Sequence, residues 1–166
     1  MTVTAAVSQP FQGVDVKPVV DFTARSSSGE DVTLSTLKGH KVVLYFYPKD
    51  DTPGCTIEGI DFNRLLKDFS DLNTKVYGVS RDSIESHCRF INKFGFQFEL
   101  LSDPEEKLCR QFDVIKEKNM YGKKVMGIER STFIIDENQN LIKEYRKVKA
   151  DGHAEEVLNF IKTAGL

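Results

Sequence analysis

Cys55 is the residue of this sequence best placed to do chemistry, because it directly follows Thr52-Pro53-Gly54. Proline suits the first turn of a helix, where its missing N–H needs no partner, and glycine lets a ligand approach the backbone. The free N–H groups at a helix start favour a thiolate. Although many cysteines are simply small buried hydrophobes, this position predicts a nucleophile. The Thr52 hydroxyl and the amides of Gly54 and Cys55 could hold a small oxygen compound.

The segments on either side of Cys55 have the patterns of a strand and a helix. Lys41–Tyr47 is a nearly continuous run of β-branched and aromatic residues, typical of a central strand covered on both faces. Pro48 ends this strand, and a polar loop leads into a helix whose first turn includes Cys55. Apolar residues at largely helical spacing continue that helix, namely Ile57, Ile60, Leu65, Leu66 and Phe69.

The rest of the chain alternates strands with helices, which indicates an α/β fold. Strands are predicted at 21–24 and 31–34 as a small hairpin, at 75–80, and at 132–135 and 141–148 as a second hairpin. Helices are predicted from Ser83 to Phe94, from Ser102 to Phe112 and from His153 to Ala164. An irregular, lysine-rich segment is expected around residues 120–124.

This order of elements is that of a thioredoxin-like fold, a central mixed β-sheet flanked by helices, with an N-terminal hairpin extension. In that topology the strand that follows Arg130 runs antiparallel to the central strand. Arg130 then lies beside Pro48 and the Cys55 loop, where its permanent charge can stabilise a thiolate. We expect residues 1–17 to form a loosely ordered lead-in and residues 18–166 to form the domain.

Two separate segments resemble peroxiredoxins. Residues 48–55 read Pro-Lys-Asp-Asp-Thr-Pro-Gly-Cys, which resembles the peroxiredoxin signature of a proline, a threonine three residues before the cysteine, and the cysteine itself. With residues 45–47 before it and 56–58 after it, the segment is similar to the bacterioferritin comigratory protein, or peroxiredoxin Q, subfamily. Residues 127–136 are similar to the segment that carries the catalytic arginine of that family. The resemblance extends from about Val19 to the C-terminus.

The resemblance implies a thiol-dependent peroxidase that needs no cofactor. Cys55 would attack the distal oxygen of hydrogen peroxide or an alkyl hydroperoxide, giving water or an alcohol and a sulfenic acid. Thr52 and the amides of Gly54 and Cys55 would hold the peroxide oxygens. Arg130 would stabilise the thiolate and the developing charge, and Pro48 would screen the pocket from water.

The residues that would resolve the sulfenic acid depart from the commonest family pattern. Many members place a second cysteine five residues beyond the first, but that position here is Ile60, and it follows a helix-weakening Gly59. Other members place it in the helix after the next strand, where Cys88 lies. Cys88 is therefore the resolving candidate, a packing thiol is its alternative, and an external thiol could replace it. Cys109 alternates with apolar positions and is predicted to be structural.

Glu58 and the three histidines give weaker signals. Glu58, in the first turn of the helix, either supports the site by orienting a donor or is an ordinary solvated glutamate. His40, His87 and His153 lie in separate segments, and the cysteines lack the spacing of metal ligands, so we predict no metal site.

Composition excludes several other classes of protein. The 166 residues are 40% hydrophobic and 29% charged, which is typical of one globular domain. With 23 basic and 25 acidic residues, the net charge of −2 predicts no broad cationic surface for nucleic acid or an anionic membrane. The longest apolar run, Val42–Tyr47, is too short to span a membrane, and no signal-peptide pattern is present. We expect a cytoplasmic monomer or weak dimer, reduced by thioredoxin or another thiol.

The main alternative is a thioredoxin-like protein disulfide oxidoreductase. The sequence disfavours it, because no Cys-x-x-Cys pair is present and no proline follows Pro104. Thioredoxins carry a proline at the start of the strand that here begins with Arg130-Ser131-Thr132. A third possibility is a non-enzymatic redox switch that uses only Cys55.

Overall fold

The structure is a computed structural model and describes residues 17–164. The strands are β1 (Thr23–Ser26), β2 (Asp31–Thr33), β3 (Lys41–Phe46), β4 (Thr74–Ser80), β5 (Glu99–Ser102), β6 (Ile115–Met120), β7 (Lys123–Ile128), β8 (Ser131–Ile135) and β9 (Leu141–Tyr145). The helices are α1 (Pro53–Arg64), α2 (Leu66–Asp71), α3 (Ile84–Phe94), α4 (Lys107–Gln111) and α5 (His153–Thr163), with a short 3₁₀ helix at Leu34–Leu37. The lead-in predicted for residues 1–17 lies outside the described residues, except for Lys17.

A seven-stranded mixed sheet in the order β2-β1-β5-β4-β3-β8-β9 forms the centre of the fold. Strand β3 runs parallel to β4 and antiparallel to β8, with Phe46 opposite Ser131. The end of β3 and the start of β8 are therefore neighbours, as the predicted topology requires. The thioredoxin-like fold, with its N-terminal hairpin of β1 and β2, is confirmed.

The sheet buries apolar side chains on both faces, because successive residues of a strand point to opposite sides. Every residue of β3 is buried, as predicted for a central strand. One face packs against α1, α2, α3 and α5, and the other packs against α4, the 3₁₀ helix and the start of β6. Cys109 lies fully buried on the second face, and burial raises the pKa of its thiol well above the usual range. Its predicted structural role agrees with this position.

Helix α1 buries a different face from the one that its isoleucines suggest. Ile57 and Ile60 are 45% and 43% exposed, so the apolar residues predicted at helical spacing do not all lie on the buried face. The buried residues of α1 are Cys55, Glu58, Gly59 and Phe62. The inward face of the first two turns is thus taken up by the thiol and a carboxylate, and the isoleucines point outward.

Gly59 has a packing role that the sequence did not indicate. A Cβ atom at this position would lie 2.5 Å from Cζ of Phe96 and would overlap the ring. The glycine weakens the helix by about 1 kcal/mol relative to alanine. Because Gly59 has no side chain, α1 can pack directly against the ring of Phe96.

Three strands were not predicted from the sequence, and one helix begins later than predicted. The segment around residues 120–124 is the turn of an antiparallel hairpin formed by β6 and β7, in which Tyr121 and Gly122 both have positive φ. Most residues of this hairpin are exposed, so no apolar alternation marks its strands. Strand β5 was also missed, and the helix expected from Ser102 begins only at Lys107. Among the described residues, no helix is long and apolar enough to cross a membrane.

Candidate active site

The local structure around Cys55 follows directly from the residues before it. Thr52 has an extended backbone and is the N-cap of α1, and Pro53 occupies the first helical position. The Thr52 hydroxyl does not cap the helix, because it donates to the carbonyl oxygen of Lys49 at 2.8 Å. Its oxygen therefore has lone pairs left to accept a hydrogen bond from a ligand. Pro48, two residues beyond the end of β3, is half-buried.

Arg130 joins the thiol to a buried carboxylate. Its Nη2 atom lies 3.5 Å from Sγ of Cys55, and its Nη1 atom donates to Oε1 of Glu58 at 2.6 Å. Cys55 is only 1% exposed, yet its sulfur faces a permanent cation. This environment differs from that of a packing thiol such as Cys109, because a nearby guanidinium stabilises the thiolate.

Glu58 is fully buried, so the alternative of a solvated glutamate is wrong. Burial raises the pKa of Glu58 to about 7, and the attraction of Arg130 offsets part of this effect. Its Oε2 atom has no hydrogen-bond partner among the described residues. Glu58 therefore holds Arg130 in place through its Oε1 atom, and its carboxyl group is left with incomplete hydrogen bonding.

Glu58 is expected to make the protein less stable as pH rises from about 4.5 to 7. The folded chain retains a proton on Glu58 in this range that the unfolded chain releases, so the free energy of unfolding falls, by no more than about 3 kcal/mol, and levels off above pH 7. Glutamine does not titrate, so in Glu58→Gln this pH dependence of the free energy of unfolding disappears. Urea unfolding of both proteins between pH 4.5 and 8 measures the difference, and identical slopes would contradict the buried-carboxyl assignment.

Gly54 provides the space that Arg130 occupies beside the sulfur. A Cβ atom on Gly54 would lie 2.9 Å from Nη2 of Arg130. We expect Gly54→Ala to fold normally, to displace the guanidinium from Cys55 and to slow the oxidation of Cys55 by about tenfold, less than the loss of a whole transition-state donor. Stopped-flow oxidation by hydrogen peroxide measures the rate, with Thr56→Ala as the control on the same helical turn. Equal oxidation rates for the two variants would show that the close contact of Arg130 with Gly54 is unimportant for the reaction.

The structure does not bond Cys88 to Cys55. The thiol of Cys88 is half-buried and lies 3.5 Å from the carbonyl oxygen of Ser27, which follows β1. Both thiols are free, and Cys88 lies on α3, which packs on the same face of the sheet as α1.

Two further features of this region were not predicted from the sequence. Lys118 on β6 shares the charge environment of the site, since burial and Arg130 lower the pKa of Lys118 while Cys55 raises it. Asp50, in the loop before Cys55, is hydrogen-bonded to the buried His87. Lys118 stands in no recognisable motif, Asp50 is not one of the three residues that define the signature, and the role of each depends on a contact between distant parts of the chain. Within residues 17–164, no cluster of His, Cys, Asp or Glu is arranged to hold a metal ion.

This combination of fold and site is that of a thioredoxin-fold thiol enzyme. The sequence profile of the AhpC/TSA family matches residues 16–144. Peroxiredoxin Bcp of Xanthomonas campestris is 55% identical over 142 residues, which cover 86% of this chain and 89% of that protein. Peroxiredoxin Bcp of Bacillus subtilis is 50% identical over 142 residues, which cover 86% and 90% of the two chains.

Solved structures give the same result. The bacterioferritin comigratory protein of X. campestris superimposes with a TM-score of 0.83 at 52% identity, over 87% of this chain and 92% of that chain. A peroxiredoxin Q of Xylella fastidiosa superimposes with a TM-score of 0.86 at 46% identity, over 92% and 98% of the two chains.

The chain belongs to the AhpC/TSA family, within its Bcp or peroxiredoxin Q group. It is a thiol-dependent peroxidase, and the resemblance seen in the sequence is confirmed. The alternative of a protein disulfide oxidoreductase is not favoured.

Proposed function

We propose that this peroxidase reduces hydrogen peroxide and alkyl hydroperoxides through a sulfenic acid on Cys55. The observation that carries the proposal is the position of Arg130 Nη2, 3.5 Å from the sulfur of Cys55 at the start of α1. The similar X. campestris protein has been studied for alkyl peroxide reduction, which supports the same substrate class here. No cofactor takes part in this chemistry.

In the first step, the Cys55 thiolate attacks the distal oxygen of the hydroperoxide and the O–O bond breaks. The sulfur becomes a sulfenic acid, and the other oxygen takes up a proton and leaves as water or an alcohol. Arg130 stabilises the thiolate and the charge that develops on the leaving oxygen. Thr52 and the amides of Gly54 and Cys55 position the substrate, and Pro48 limits access of water to the pocket.

In the second step, the Cys88 thiolate attacks the sulfur of the Cys55 sulfenic acid. The S–S bond forms as the S–O bond breaks, and the departing hydroxide takes up a proton to leave as water. A disulfide requires Cα atoms within about 7 Å, and we infer that both α1 and α3 unwind locally before the bond forms. An external thiol is the alternative attacking group.

Cys88→Ser tests the resolving step. After one equivalent of peroxide, mass spectrometry of the wild type should show an internal Cys55–Cys88 disulfide, and the variant should instead hold a sulfenic acid that dimedone can trap. Cys109→Ser is the matched control and should form the disulfide normally. An internal disulfide that persists in Cys88→Ser would assign resolution to Cys109, and a wild type with no disulfide would assign it to an external thiol.

The proposal extends to the partner and setting of the enzyme. Thioredoxin or another thiol reductant would reduce the oxidised protein, and the chain would act as a monomer or weak dimer. A cytoplasmic location fits three free cysteines, because that compartment keeps thiols reduced. Neither nucleic acid nor a membrane is a partner in this proposal.

A further inference from the structure

A buried polar network joins the Cys55 loop to helix α3. Nδ1 of His87 lies 2.8 Å from Oδ2 of Asp50, and Nε2 of His87 lies 2.9 Å from the carbonyl oxygen of Leu101 on β5. His87 is fully buried, and the Asp50 side chain is only 3% exposed. The Asp50 carboxylate also accepts from Tyr47 Oη at 2.6 Å and from Ser86 Oγ at 2.7 Å. Every polar side-chain atom of the Asp50–His87 pair thus has a partner.

Hydrogen-bond chemistry makes this contact a strong one. The carbonyl of Leu101 can only accept, so Nε2 of His87 carries a proton and donates it there. A second proton lies between Nδ1 and the Asp50 carboxyl group, because two lone pairs would otherwise face each other at this distance. Charge-assisted hydrogen bonds of this kind are about twice as strong as neutral ones, and burial strengthens them further.

The network also fixes the backbone of the loop. The N–H of Asp50 donates to Oδ2 of Asp82 at 2.9 Å, and Ser80 Oγ donates to the same oxygen at 2.6 Å. Asp82 lies just before α3, so loop and helix are tied at two points. Asp50 stands five residues before Cys55 in the sequence, and His87 is the residue directly before Cys88.

We propose that the Asp50–His87 pair is a latch that holds α3 against the Cys55 loop and sets the rate at which Cys88 reaches Cys55. This inference rests on the proposed resolving role of Cys88. Consecutive Cα atoms are only 3.8 Å apart, so Cys88 cannot travel toward Cys55 while His87 stays in its pocket. His87 is thus a positioning residue, and breaking its two hydrogen bonds is part of the opening that precedes the disulfide.

The test compares His87→Gln with two other variants of α3. Ser86→Ala removes one weaker hydrogen bond to Asp50 from a half-buried position and provides a milder perturbation. Lys93→Ala is the matched control, because Lys93 forms an exposed ion pair with Asp51 at 2.8 Å that joins the same loop and helix. Exposed ion pairs contribute little, so this control should leave the latch closed.

Two measurements report on the latch. Amide hydrogen exchange of residues 84–90 in the reduced protein measures opening of α3, and rapid-quench mass spectrometry after one equivalent of peroxide measures formation of the Cys55–Cys88 disulfide. In His87→Gln we expect both rates to rise at least tenfold, because a hydrogen bond to a charged group is lost from the closed form only. Ser86→Ala should raise both about threefold, and Lys93→Ala should stay within twofold of wild type.

The possible outcomes distinguish failure of the latch from failure of the proposed resolving role of Cys88. Unchanged exchange in His87→Gln, or exchange that accelerates equally in β3 and β4, would overturn the latch, since the second result is a general loss of stability. Faster exchange with an unchanged rate of disulfide formation would show that opening of α3 does not limit resolution. A wild type that forms no Cys55–Cys88 disulfide would instead overturn the resolving role of Cys88, and with it this use of the latch.

Discussion

Cys55→Ser will lose peroxide turnover by at least about 10³-fold, because a serine hydroxyl at the same place is not ionised and is a far weaker nucleophile. The substitution changes one buried atom at the start of α1, so the fold and the position of Arg130 should be retained. Peroxide consumption coupled to a thiol reductant measures the effect.

Cys109→Ser is the matched control for this experiment. Its thiol is also fully buried, but it lies on the other face of the sheet, and burial raises its pKa so that it stays protonated. This variant should keep nearly wild-type turnover. If Cys55→Ser retained turnover while Cys109→Ser lost it, the reacting residue would be Cys109 and not Cys55.

Arg130→Ala is expected to slow the oxidation of Cys55 by about 10²-fold or more, the range seen when a donor to a transition state is removed. Within residues 17–164, the guanidinium is the only cationic group that forms a hydrogen bond to this sulfur, at 3.5 Å. Single-turnover oxidation by hydrogen peroxide isolates the step, because resolution and reduction follow it. Arg64→Ala removes a half-exposed guanidinium from the same helix α1 and should leave the rate unchanged.

The Arg130 experiment must also be done in a Glu58→Gln variant, because the charge of Arg130 also balances that of the buried Glu58 carboxylate. Removing one partner of a buried ion pair costs about 3–5 kcal/mol, so Arg130→Ala could be partly unfolded. In the double variant Arg130→Ala with Glu58→Gln both charges of this ion pair are removed, and the rate can be compared with Glu58→Gln alone. A rate in the double variant equal to that of Glu58→Gln would show that Arg130 acts on stability and not on the thiol.

Much of the fold was predictable because its signals are local. The continuous apolar run of β3 predicted a central strand, and Thr52 and Pro53 predicted the helix start that contains Cys55. The placement of Arg130 needed only the order of elements, since β8 has to run antiparallel to β3 in this topology. These predictions depend on short segments or on connection rules that few chains violate.

Other features were not predictable because their causes lie in distant residues. Ile57 and Ile60 are exposed and Glu58 is buried, the reverse of what their polarity suggests, because Arg130 provides a partner for a carboxylate on the inner face of α1. The hairpin of β6 and β7 was missed because its exposed strands have no buried face to leave a periodic pattern.

The sequence by itself determined the chemical identity of the reacting group, its place at a helix start and the order of strands that surrounds it. Only the tertiary structure decided that Glu58 supports Arg130, that the Cys88 thiol lies beside Ser27, and that Asp50 and His87 join the two cysteine-bearing segments. The physical reason is that helix starts and strand order follow from short-range backbone preferences, whereas burial of a charge depends on a partner that folding brings from elsewhere in the chain.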